Sequence, residues 1–136
     1  MHAMPISRST GLALVAAALA ALSGCTEMQG KEAEEPAHSR VYVANESSNS
    51  VTVIDGDSFQ VVGTVDARNH ATHDLAVSRD GRWLFATNLA SGRLSAINTK
   101  AMETVASIAT GDRAHVVTLT NDNRQAWVAN IGENTI

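Results

Sequence analysis

The chain has 136 residues, with 10 basic and 14 acidic side chains, a formal charge of −4, 44% apolar residues and one cysteine. That length fits about one domain. The net negative charge and the lack of any basic block give no electrostatic support for binding nucleic acid. A single cysteine cannot form an internal disulfide, so any role for it must be of another kind.

In chain order, the first segment is a leader. Arg8 supplies a short positive start, and residues 11–22 (GLALVAAALAAL) form an unbroken apolar run of 12. Such a run is too short to cross ~30 Å of hydrocarbon as a helix and has the layout of a secretory signal peptide. Leu22-Ser23-Gly24-Cys25 then resembles the lipobox of bacterial lipoproteins, in which a small residue precedes the cysteine that is lipidated. The resemblance implies cleavage before Cys25, a diacylglycerol thioether on its sulfur and acylation of the new amino terminus. It therefore accounts for a lone thiol, which in an exported protein would otherwise remain oxidisable. Residue 26 is Thr and not Asp, which in enterobacterial lipoproteins favours the outer membrane. The expected partner of this end is the membrane, reached through a lipid anchor on the periplasmic face. Residues 25–39 carry the lipidated cysteine followed by an acidic stretch with four glutamates and one proline, which reads as a solvated tether. Without residues 1–24 the chain keeps 9 basic and 14 acidic side chains, a formal charge of −5.

From residue 40 the chain repeats. Residues 41–45 (VYVAN) return as 84–88 (LFATN) and as 126–130 (AWVAN), with the asparagines 43 and then 42 positions apart. Residues 73–82 (HDLAVSRDGR) match 115–124 (HVVTLTNDNR), and 59–65 (FQVVGTV) match 102–108 (METVASI). The runs are short and rich in Val, Ile and Thr, with no 3.6-residue apolar period. Asp80-Gly81 and Asp122-Asn123 supply residues that accept positive φ, as tight hairpins demand. Asp55 and Asn98 close the runs that follow the asparagine motifs and read as turn residues. Four strands per repeat of about 40–45 residues is the pattern of a β-propeller blade, so the expected fold is all-β, a propeller of four-stranded antiparallel blades.

VYVAN, LFATN and WVAN, with NSVTVID and HDLAVSRDGRWLFATN, resemble the YVTN-repeat β-propellers over residues 40–136. The resemblance implies that the segments opening with His73 and His115 are the innermost strands of their blades, followed outward by the VYVAN, VTVID and FQVVGTV types. Thr72 and Ala114 stand where that family usually has proline. On this template residues 40–136 hold two to three blades. The first lacks its innermost strand, the second is complete and the third has two strands. This leads to the expectation of an amino-terminal part of a longer protein, of ~300 or more residues by blade arithmetic.

The candidate site residues are histidines. His73 and His115 occupy equivalent positions on neighbouring blades, while His70 lies outside the repeat. Neutral imidazoles at one channel opening can hold a metal ion or haem iron, and they can equally be part of the blade pattern, hydrogen-bonded at the strand entrance. Asp74 can orient an imidazole or face solvent. Tyr42, Trp83, Phe85 and Trp127 are expected to pack between blades, and Arg82 and Arg124 to be solvated or salt-bridged. There is no Cys-x-x-Cys-His, no Gly-x-Ser-x-Gly elbow and no Gly-rich phosphate loop in the sequence. Anchor, tether and propeller together point to an envelope lipoprotein that binds an envelope protein or a small ligand. Family resemblance adds two alternatives: a haem- or metal-binding propeller similar to nitrite reductase haem domains and their maturation factors, and a lactonase-like hydrolase.

Overall fold

A computed structural model describes residues 39–136. The leader, Cys25 and nearly all of the tether, residues 1–38, lie outside the described residues.

Among the described residues, nine strands form three antiparallel sheets. The first holds β1 (Arg40–Asn45), β2 (Ser50–Asp55) and β3 (Val61–Asp66) in that order. The second is a full four-stranded blade of β4 (Thr72–Val77), β5 (Trp83–Asn88), β6 (Arg93–Asn98) and β7 (Glu103–Ala109). The third pairs β8 (Ala114–Leu119) with β9 (Ala126–Asn130). The inner strand β4 packs against the inner strand β8 and against β1, the strand of the first sheet next to its missing inner position, whereas the outer strand β3 packs against the outer strand β7. This is part of a β-propeller, with the blade order that the repeats imply.

The repeat extends to the backbone. Positive φ recurs at Asn49, Gly92 and Asn134, at Phe59 and Met102, at Gly81 and Asn123, and at Ala71 and Arg113, each set spaced by the repeat. Gly92 is the position where the residue type matters most, because a Cβ there would lie 2.5 Å from the Gly111 carbonyl oxygen. Register shifts recur as well: between Val53 and Ile54 and again between Ala96 and Ile97, and between Thr72 and Leu75 and again between Ala114 and Val116.

The hairpin aspartates do the expected work. Asp55 Oδ1 accepts bonds from the Ser58 N–H and hydroxyl, and Asn98 Oδ1 accepts from the Lys100 and Ala101 N–H groups. The Ser78 hydroxyl and the Arg82 N–H hold Asp80 below the ordinary carboxylate value of 3.8, and the Thr120 hydroxyl and Arg124 N–H do the same for Asp122. A folded pKa below the unfolded one gives stability that is present above the unfolded value and lost as pH falls through the folded value. Both carboxylates are exposed, so the effect is small. Acid titration of Asp80→Asn and Asp122→Asn should show a shallower loss of stability below that ordinary value than the parent chain.

Two apolar clusters join the sheets. Val51, Val53 and Val65 of the first sheet meet Leu84, Ala86 and Ile97 of the second, with Tyr42, Leu75 and Met102 against them. Leu94 of the second meets Ala114, Val117 and Val128 of the third, with Ala76 and Phe85 alongside. Tyr42 and Phe85 thus pack between blades as expected. The tryptophans do not: Trp83 is 37% and Trp127 52% exposed. Trp127 is the repeat counterpart of Phe85, which the third sheet covers; its neighbour in β9, Val128, faces the second sheet, so Trp127 is on the opposite, uncovered face. Trp83 opens β5 beside the exposed Asp80-Gly81 turn, away from the cluster that holds Phe85.

Buried polar groups tie the same boundaries. Asn88 is fully buried; its Nδ2 donates to the Ser95 hydroxyl at 2.9 Å and to the Ala86 and Arg93 carbonyls, and its Oδ1 accepts from the Thr72 hydroxyl at 3.0 Å. Ser95 Oγ in turn donates to the Ala67 carbonyl at 2.6 Å, linking the second sheet to the chain leaving the first. Asn130 repeats Asn88, but Ala114 replaces Thr72. Asn130 Oδ1 is accordingly the buried side-chain atom without a partner among the described residues. Ala114→Ser should restore the missing donor and raise stability by about 1 kcal/mol, read from the denaturant midpoint.

Candidate functional site

The inner strands begin at two irregular points. Each is preceded by a residue held at positive φ, Ala71 (φ 59) before β4 and Arg113 (φ 54) before β8. Each then carries a register shift just inside the strand, spanning His73-Asp74 in β4 and His115 in β8. A bulge re-aims side chains and breaks regular pairing. Here it brings the two histidines, 42 residues apart, face to face: Nε2 to Nε2 is 3.0 Å, the ring centroids are 4.3 Å apart and the planes meet at 47°. Both are half-buried.

A third blade element reaches the pair. Glu46, in the turn between β1 and β2, places Oε2 3.7 Å from His73 Nδ1, within ion-pair reach. That carboxylate was not legible as a site residue, because it belongs to a Ser- and Asn-rich turn with no counterpart charge at Leu89 or Ile131. Asp74 neither orients an imidazole nor faces solvent freely: its Oδ2 accepts the Val117 N–H at 2.9 Å, and its own N–H donates to Thr87 Oγ1. Thr87 donates onward to the His115 carbonyl at 2.9 Å. These bonds lock β8 to β4 and β5 beneath the histidines, fixing their separation.

His70 is not brought into the pair. It lies exposed in the β3–β4 connection, where its backbone engages Ser91 and Ala90. Among the described residues, no group of three histidine, cysteine or carboxylate side chains converges on one point. Arg82 and Arg124 are exposed at the hairpins, as expected, and the ion pair Arg68–Glu103 (3.0 Å) lies elsewhere on the surface. A shallow depression between the β5–β6 and β7–β8 turns, lined by Ser91, Gly92, Thr110 and Asp112 among others, contains no histidine.

No protein-family model and no curated protein matches the sequence. Solved structures do. The chain is similar to hydrazine synthase of Kuenenia stuttgartiensis, with a TM-score of 0.66 and 27% identity over 68% of this chain and 26% of that one. It is also similar to the dihydro-heme d1 dehydrogenase NirN in complex with DHE (TM-score 0.59, 24% identity, 67% of this chain and 19% of that one). A 6-phosphogluconolactonase-like protein of Bacteroides fragilis matches at a TM-score of 0.59 and 20% identity, over 68% and 29% of the two chains. The neighbours are β-propeller proteins. The chain spans between about a fifth and a third of their lengths.

Proposed function

We propose that the chain is an exported, lipid-anchored β-propeller of the YVTN-repeat type that serves as a binding module on the periplasmic face of the envelope, with the inner-strand rim as its ligand surface. The observation that carries this reading is the polar row of Glu46, His73 and His115, contributed by three successive sheets at the start of the inner strands: Glu46 meets Nδ1 of His73, and His115 meets its Nε2. Both imidazoles are half-buried and Glu46 is exposed, so all three side chains are open to a ligand at this rim. The anchor rests on Leu22-Ser23-Gly24-Cys25 after the apolar run. Expression with the native leader in a bacterial host fed radiolabelled palmitate tests it. The expected result is labelled protein in the membrane fraction and unlabelled protein from Cys25→Ser; equal labelling of both, or none of either, contradicts it.

The second reading, a cofactor-binding propeller, is favoured by the same histidine pair and by the likeness to a dehydrogenase solved in complex with DHE. A purified protein that carries iron and a visible absorption band supports haem. A colourless protein without iron removes it.

A further inference from the structure

We propose that His73 and His115 form a two-histidine site for a bare late first-row transition-metal ion, zinc or copper(II), with Glu46 as the outer carboxylate that orients His73. The proposal rests on the rim reading above for the accessibility of the site, and on the geometry of the pair for its chemistry.

Imidazole nitrogens bind zinc at roughly 2.0–2.1 Å, so two of them on one tetrahedral ion stand roughly 3.3–3.4 Å apart. In a cis square-planar arrangement, the preference of copper(II), the separation is roughly 2.9 Å. The observed 3.0 Å lies between these values. The approach angle fits as well. A straight N–H···N bond at this separation would set the ring centroids roughly 5.3 Å apart, since hydrogen bonds prefer angles above 150°. The centroids are 4.3 Å apart and the rings are tilted by 47°, so the two rings approach obliquely. Two imidazoles that share one ion have centroids roughly 4.5 Å apart in a cis square-planar arrangement and roughly 5.2 Å apart in a tetrahedral one, so the oblique approach fits copper(II) better than zinc. The same 3.0 Å leaves no space for a macrocycle between the rings, so this pair does not hold a haem from both faces.

Tautomer choice completes the site. A metal-binding histidine usually gives its other ring N–H to a carboxylate or carbonyl, which fixes the ring and raises its basicity. Glu46 stands on the Nδ1 side of His73, 3.7 Å away, and so favours a proton on Nδ1 and a free lone pair on Nε2. Asp74 Oδ2 accepts the Val117 N–H instead. Two histidine donors leave the remaining positions of the ion to water, an open site able to take a small ligand.

The test is a calorimetric titration of the full chain, stripped with chelator, with zinc chloride and separately with copper(II) chloride. One equivalent binds to the parent. Loss of a direct ligand in His73→Ala or His115→Ala weakens that binding at least ~100-fold, and Glu46→Gln weakens it ~10- to 100-fold, the range seen for outer carboxylates. His70→Ala leaves it within about twofold, as expected of a residue that is not a ligand. Parent-like affinity in both His73→Ala and His115→Ala, loss in His70→Ala, or no binding by the parent overturns the site. Nitrogen-15 spectra of the parent's imidazoles need no variant to fold. Zinc should shift the Nε2 signals of His73 and His115 together, and shifts confined to other histidines overturn the proposal. Palmitate labelling retained without metal binding defeats the metal site alone, and metal binding without labelling defeats the anchor alone.

Discussion

Leu84→Ala lowers the unfolding free energy by about 3–5 kcal/mol, while Val41→Ala, its counterpart one repeat earlier, costs under about 1 kcal/mol. The two positions read alike in sequence, each opening an apolar strand of the same type. Their surroundings differ. Leu84 is 0% exposed, in the cluster that Val51, Val53 and Val65 close from the first sheet, so truncation leaves a cavity between two blades. Val41 is 48% exposed on a face that no described sheet covers. Removing methyl groups there empties no packed space. Urea midpoints of the two variants measure the difference, and equal losses would mean that the first sheet is packed on both faces.

Asn88→Ala is the second large effect, at about 2–4 kcal/mol, because it strips partners from a fully buried network. The Thr72 hydroxyl loses its acceptor, and the Ala86 and Arg93 carbonyls lose a donor, in a place where water does not replace them. Asn45 makes the related bond to Thr52 Oγ1, at 2.8 Å, but is only half-buried, so Asn45→Ala costs about 1 kcal/mol or less. Asn88→Asp is informative beside it: the carboxylate keeps the acceptor for Thr72 but cannot donate, so its loss approaches that of alanine. A loss for Asn88→Ala no greater than that for Asn45→Ala would show that the network does not form.

Much of this fold was legible because a propeller blade writes its own punctuation. Asp80-Gly81 and Asp122-Asn123 mark hairpins that require positive φ, and Gly81 and Asn123 have it. The order of strands within a blade came from the resemblance to YVTN-repeat propellers and not from the spacing itself. Less was legible where chemistry depends on what lies across a blade boundary. Trp127 carries the same pattern as Phe85, yet only the latter has a sheet over it. The asparagines were visible as repeat markers, but their role as buried brackets depends on Ser95, Thr72 and Ala67, contributed by three different segments. A hydroxyl seven positions after Asn45 and Asn88, Thr52 and Ser95, was the signal that would have found them.

The histidines divide in the same way. Equal placement of His73 and His115 in the repeat put them on one rim, whereas their separation was set by bulges and by the Asp74 and Thr87 bonds, which no spacing rule supplies. His70 drew notice because it breaks the repeat, but the connection before β4 leaves it exposed and outside the pair. Glu46 went unnoticed because its own position has no counterpart charge, the equivalents being Leu89 and Ile131.

The contact between His73 and His115 is the centre of this account, and a double-mutant cycle measures it most directly. Unfolding free energies are determined in chelator for the parent, His73→Ala, His115→Ala and the double variant. Side chains in contact couple by about 0.5–3 kcal/mol, and we expect a favourable coupling in the lower half of that range for a half-buried pair. Losses that add to within about 0.3 kcal/mol would mean that the two histidines do not touch, and the rim would then have no built site.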